Sequence, residues 1–285
     1  MADDVAEGLI ERQRLRRRLM FWRVAFVAVL AVAGIVGFAQ IEQAPSGDYV
    51  AVLDIGGVIE TDRTRDDALD QIATDNQAKA LLLRINSPGG TFVGGEALYV
   101  ALQRVAAEKP VVVVMDDVAA SAGYMIAMAG DHVIAHRGTI TGSIGVIFPT
   151  VEVVDFFDTL GITFDNIKSD PLKANPSPFE DTLPEARAWT QVMIDELQNV
   201  FVDIVDEGRP DMDRAAVEVL ADGRIYSGVQ ALENGLVDGL GGDREARAWL
   251  FAEHGIDEGL PVRSVEIEED LPWYATVLRE TGKSV

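Results

Sequence analysis

The chain has 285 residues, 48% of them apolar, which suffices for one large domain or for one domain with appendages. A formal net charge of −23 excludes nucleic-acid binding through neutralised phosphates. Zero cysteines exclude disulfides and thiol nucleophiles, and the three histidines lack metal-ligand spacing, so no metal or other cofactor is expected.

In chain order, residues 1–19 read as a polar tail ending in Arg12, Arg14, Arg16, Arg17 and Arg18. Val24 to Ala39 carries no charge. With Met20, Phe21 and Trp22 added, and Arg23 reaching back to the headgroups, residues 20–39 are long enough to span a bilayer. Arginines on the leading side put the N-terminus in the cytoplasm and the rest of the chain outside the cell membrane. A cleaved signal peptide is the alternative, since Gly37 and Ala39 are small. The acids Asp3, Asp4, Glu7 and Glu11 in the lead favour an uncleaved anchor. Residues 40–47, with Pro45, Ser46 and Gly47, read as a linker.

Beyond it the pattern alternates. Tyr49 to Ile55 predicts a strand ended by Gly56 and Gly57, and Asp67 to Ile72 begins a helix. Ala80 to Ile85 predicts the next strand, followed by Asn86-Ser-Pro-Gly-Gly90. Val93 to Ala107 is an amphipathic helix with Leu98, Leu102 and Val105 at helical spacing. Val111 to Met115 is a strand, and Ser121 then opens a buried helix. Val133 to Ala135, Ile144 to Phe148 and Ile162 to Ile167 read as strands, and Val151 to Leu160 as a helix. Pro184 to Gly208 is a long helix whose apolar side, Leu197, Phe201, Ile204 and Val205, serves core or subunit contact. Short helices at Val217 to Leu220 and Gly228 to Leu232 follow, then an edge strand at Val262 to Ile267. Leu271 to Leu278 is either a terminal helix or a partner contact. Apolar strands alternating with helices indicate an α/β domain with a mainly parallel sheet, over residues 48–255, with an extension at 256–285.

Three segments carry candidate chemistry. Ser121 at a helix start is either an N-cap or a nucleophile, because free N–H groups there favour developing negative charge. Gly89 and Gly90 after a strand let backbone approach a ligand, or simply turn the chain. Lys168 and Lys173 are two of only five lysines in the chain. A surface pair is the plain explanation, and a desolvated general base is the sharper one.

The ordered motifs Asn86-Ser-Pro-Gly-Gly90, Ser121-Ala-Gly-Tyr124, Thr139-Ile-Thr-Gly-Ser-Ile-Gly-Val146 and Lys168-Ser-Asp-Pro-Leu-Lys173 resemble the S49 serine proteases of the signal peptide peptidase A group. The resemblance implies a ClpP/crotonase-like fold with repeated β-β-α units. It implies a Ser/Lys dyad, with Ser121 as nucleophile, Lys173 as base and Ser143 hydrogen-bonded to the lysine. The oxyanion hole would be backbone N–H of Gly90, with Gly89 adjacent, and of Ala122. Residual signal peptides or other membrane-proximal peptides would be the substrates, and the chain would be membrane-bound and homo-oligomeric. Small or apolar substrate side chains would fit a pocket lined by residues such as Val93, Tyr124 and Ile144. None of His132, His136 and His254 falls in the Thr139 to Val146 segment, which disfavours a histidine triad. The alternatives are a crotonase-like acyl-CoA enzyme and a non-catalytic membrane scaffold on the same fold. Whether the dyad lies in one chain or is completed by a neighbour stays open at this stage.

Overall fold

The structure is a computed structural model that describes residues 18, 20–31, 47–265 and 267. The chain divides into two units, Met1–Gly47 and Asp48–Val285. In the first, residues 20–31 form a helix, α1. Among the described residues no helix is long and apolar enough to cross a membrane. The remainder of the anchor expected over residues 20–39 lies outside the described residues, as do the element expected at Leu271 to Leu278 and most of the tail and linker.

The second unit is built on β1 (Tyr49–Ile59), β2 (Ala78–Gly90) and β3 (Val111–Ala120), three parallel strands paired side by side. Their cores are runs of Val, Leu and Ile, which suit a pleated surface buried on both faces. Alternate residues serve different faces. Leu81, Leu83 and Ile85 join the larger core with Leu98, Leu102 and Val105 of α3 (Phe92–Ala106). Ala80 and Leu82 point the other way, with Ala246 and Leu250 of α9 (Asp243–His254). Between β1 and β2 lies α2 (Arg63–Thr74), whose first N–H groups are capped by the Asp62 carboxylate at 3.0 and 3.1 Å.

β3 has two successive partners on its far side. Its first half pairs with β4 (His132–Ala135) and its last residues pair with β5 (Ile140–Gly142). From β1 to α4 (Ala122–Ala127) each expected β-β-α unit takes the form of one long strand followed by a helix. Each expected pair of strands is one long strand, locally offset at register shifts between Gly56 and Val58 and between Ile85 and Ser87. The sheet is completed by β6 (Ile225–Ser227), antiparallel to β5, by β7 (Gly239–Leu240), and by β8 (Val262–Ser264) beside β1.

Two expected strands are absent. Ile144 to Phe148 and Ile162 to Ile167 have no ladder partner among the described residues, and the strand lies at β5 instead. The helix expected over Val151 to Leu160 shortens to α5 (Val154–Thr159). The long helix α6 runs Pro184–Gly208; its C-terminal part, Phe201 to Val205, enters the core, while Trp189, Val192, Met193 and Val200 are exposed. Short helices α7 (Arg214–Leu220) and α8 (Gly228–Glu233) connect it to the closing strands.

Candidate active site

Ser121 sits between the last residue of β3 and the first of α4. Its φ of 54° is on the left-handed side, which costs a residue with a Cβ and persists only where neighbours hold it. Three backbone bonds do so. The Ser121 N–H donates to the Gly142 carbonyl, and the Ser121 carbonyl accepts from Tyr124 and Met125 N–H, each at 2.9 Å. The Ser121 side chain makes no capping bond, so the N-cap alternative is removed. Half-buried, Ser121 lines a cleft of about 100 Å³ with Gly90, Phe92, Ala122, Met125, Gly145, Val146, Ile147 and Phe201.

The paired glycines lie directly against it. A Cβ on Gly89 would stand 2.9 Å from Ser121 Cβ and 3.3 Å from its Oγ, at a φ of +119°. A Cβ on Gly90 would stand 1.9 Å from the Ile59 carbonyl oxygen. Neither position tolerates a side chain without backbone movement. The Gly89 N–H donates to Ser87 Oγ at 3.1 Å, so it is committed inside the strand; of the two, Gly90 lines the cleft. Ala122 is the first residue of α4, where N–H groups lack an acceptor within the helix. Its Cβ would lie 2.9 Å from one placed on Gly95, which explains the small residues at both points.

Ser143 follows Gly142, the residue that receives the Ser121 N–H, and it too has a left-handed φ of 52°. Its N–H donates to the Arg224 carbonyl at 2.8 Å, tying it to the strand beside β5. The two lysines differ sharply. Lys168 is half-buried and is held by the Glu180 carboxylate, which also accepts from Asn166 at 2.6 Å. Lys173 is exposed, in a turn closed by its N–H donating to Asp170 at 3.0 Å, and it does not line the Ser121 cleft.

None of the residues expected to line a substrate pocket lines the Ser121 cleft. Tyr124 and Ile144 are fully buried, with the Tyr124 hydroxyl donating to the Leu236 carbonyl at 2.8 Å, and Val93 faces solvent outside the cleft. Met125 and Phe201 were legible only as core positions, because helical periodicity does not distinguish a core wall from a cleft wall. His132 stacks on Trp249 at 4.9 Å, and burial pushes its pKa down; no histidine lines the cleft. Among the described residues no cluster of His, Asp and Glu is placed to hold a metal ion. A hydroxyl held beside backbone N–H groups at a helix start is the arrangement that attack on a carbonyl requires.

A family model described as Peptidase family S49 matches residues 103–257, and one described as Clp protease matches residues 55–142. A protease-named protein of Synechocystis sp. is 39% identical over 210 residues, covering 73% of this chain and 75% of that one. A protein of Enterococcus faecium named for signal peptide peptidase SppA is 38% identical over 211 residues, covering 73% and 60%. Protease 4 of Haemophilus influenzae is 35% identical over 218 residues, covering 73% of this chain but only 34% of its own length. Built on a mixed α/β domain of Clp-protease type, the chain belongs to peptidase family S49 and is similar to signal peptide peptidase A.

Proposed function

We propose that this S49 peptidase is a membrane-anchored serine endopeptidase that cleaves residual signal peptides or other membrane-proximal peptides with a Ser121/Lys173 dyad. The observation that carries the proposal is the left-handed Ser121, set at the β3–α4 junction with Gly89 and Gly90 packed against its side chain. In this mechanism neutral Lys173 takes the Ser121 proton as Oγ attacks the peptide carbonyl. The Gly90 and Ala122 N–H groups hold the oxyanion, the amine leaves with a proton, and water releases the acyl group from Ser121. Ser143, next to the residue that binds the Ser121 backbone, is the serine assigned to hydrogen-bond the lysine in this reading.

Lys173 reaches Ser121 from a neighbouring copy in this account. Two observations support that arrangement. Lys173 is exposed and away from the cleft of its own chain, while Lys168 is occupied by Glu180. The segment that carries both, residues 146–183, contains no buried residue, and Ile167 is 99% and Val151 64% exposed. Exposed apolar surface on this scale marks a protein contact. Residues 20–39 serve as the anchor, with the protease domain outside the cytoplasm.

Ser121→Ala tests the nucleophile: turnover of a fluorogenic peptide should vanish while sedimentation shows the same assembly as wild type. Wild-type turnover in that variant would sink the assignment. For topology, protease added to the outer face of spheroplasts should digest the domain and spare the first residues. Digestion only after the membrane is opened would reverse the orientation.

A further inference from the structure

Ser87 belongs to the Asn86-Ser-Pro-Gly-Gly90 motif, yet sequence gave it no role. It is wholly buried in β2, at the place where the strand's pairing is offset on both sides. The register with β1 shifts between Gly56 and Val58, and the register with β3 shifts between Ile85 and Ser87. Such offsets take backbone groups out of the ladder, and buried N–H and C=O groups must then find other partners. One hydroxyl supplies both. Ser87 Oγ donates to the Gly57 carbonyl at 2.6 Å and accepts from the Gly89 N–H at 3.1 Å. Gly57 itself has a left-handed φ of 68° and drops out of the β1–β2 register.

The same residue touches the nucleophile's helix. A Cβ on Gly123, the second residue of α4, would stand 2.9 Å from the Ser87 carbonyl oxygen. Ser87 therefore lies between the glycine pair and α4, the two elements that meet at Ser121.

We propose that Ser87 is a positioning residue of the oxyanion hole: its hydroxyl fixes the backbone path of Gly89 so that the Gly90 N–H is held toward the oxyanion formed at Ser121. The proposal rests on Ser121 as nucleophile. Ser87 touches no reacting atom and acts through the glycine backbone. Removing its hydroxyl frees the Gly57 carbonyl and the Gly89 N–H to seek other partners, and the strand end shifts. The consequence falls on the transition state, where the oxyanion exists, and not on ground-state binding.

The test uses the full chain in detergent, with Ser87→Ala and Ser87→Cys; the thiol is a weaker donor and acceptor of similar size. Ser87→Ala should lose about 10- to 100-fold in kcat, with KM changed by less than about twofold. Affinity for an N-acylated alanine boronate, whose adduct with serine carries the tetrahedral oxygen, should fall by the same factor as kcat/KM. Affinity for the matching alanine amide, which has no electrophile, should not change. Ser87→Cys should fall between wild type and Ala, and it carries the same comparison should the Ala variant fail to fold. Equal losses for boronate and amide would reduce Ser87 to a general structural role and overturn the proposal. So would wild-type kcat in either variant. A boronate that binds wild type no better than Ser121→Ala would instead overturn Ser121 as nucleophile, and the role of Ser87 with it.

Discussion

The two regions that the proposed dyad requires are built in opposite ways. Around Ser121, residues 119–129 are buried apart from the serine itself, and three backbone bonds fix its conformation. Around Lys173, residues 146–183 form an arm with no buried residue. What order the arm has is its own: Phe164 packs on Phe157 at 4.9 Å and on Phe179 at 4.5 Å, and Lys168 pairs with Glu180. The serine side is finished within one chain. The lysine side exposes Val151, Phe156 and Ile167, and the exposed Lys173 has no packing that would hold its amine rigidly. In the proposed mechanism the base must be held, and a second copy is the proposed brace.

The largest effects should come from breaking the finished side. Gly90→Ala forces a methyl onto the Ile59 carbonyl and should abolish turnover in a fluorogenic assay, with Gly89→Ala close behind because its methyl meets Ser121. Either variant at wild-type activity would mean that the strand end is not part of the site.

On the arm, Lys173→Ala should also remove activity, and Lys173→Arg should not restore it, since a guanidinium does not release its proton in a protein. Lys168→Ala should keep a substantial fraction of activity, because that ammonium is occupied by Glu180. The reverse ranking would move the base to Lys168. An amine base works only after losing its proton, so activity should rise with pH. Loss of activity on deprotonation near neutrality would contradict a lysine base.

Smaller changes sharpen the comparison. Ile167→Asp should shift the sedimentation of the protein toward monomer and lower activity in proportion, with partial recovery at high protein concentration. Unchanged assembly would take the arm out of the interface. The bond from Lys168 holds the Glu180 carboxyl below the usual carboxylate range. The stabilisation from that pair is present above the ordinary carboxylate pKa and is lost as pH falls through the depressed one. Protease sensitivity of the arm should rise in that acidic window and not at neutral pH. Smallest is Tyr124→Phe, which leaves the buried Leu236 carbonyl unpaired and should cost about 1–3 kcal/mol in denaturant unfolding. No loss of stability would show that this carbonyl finds another donor.

How much of this was legible in the sequence follows the same divide. The runs Ala80 to Ile85 and Val111 to Met115 announce central strands because burial on both faces demands continuous apolar residues. Their lengths were hidden, since Asn86 to Gly90 has turn composition yet continues β2 past an offset that Ser87 repairs. Ser121 as cap and Ser121 as strained junction share one local sequence, and only the backbone angle and the missing capping bond separate them. Ile144 to Phe148, which leads into the arm, and Ile162 to Ile167 on it have the apolar content of strands. Apolar content alone does not separate a ladder strand from an exposed apolar segment.

The most direct test of that divide is to mix the Ser121→Ala and Lys173→Ala proteins under conditions in which subunits exchange, and to measure peptide turnover. Each is inactive alone in this account, and the mixture should recover activity, because an intact serine side of one copy meets an intact lysine arm of another. No recovery, in subunits shown to have exchanged, would place both residues of the dyad in one chain and contradict the shared site.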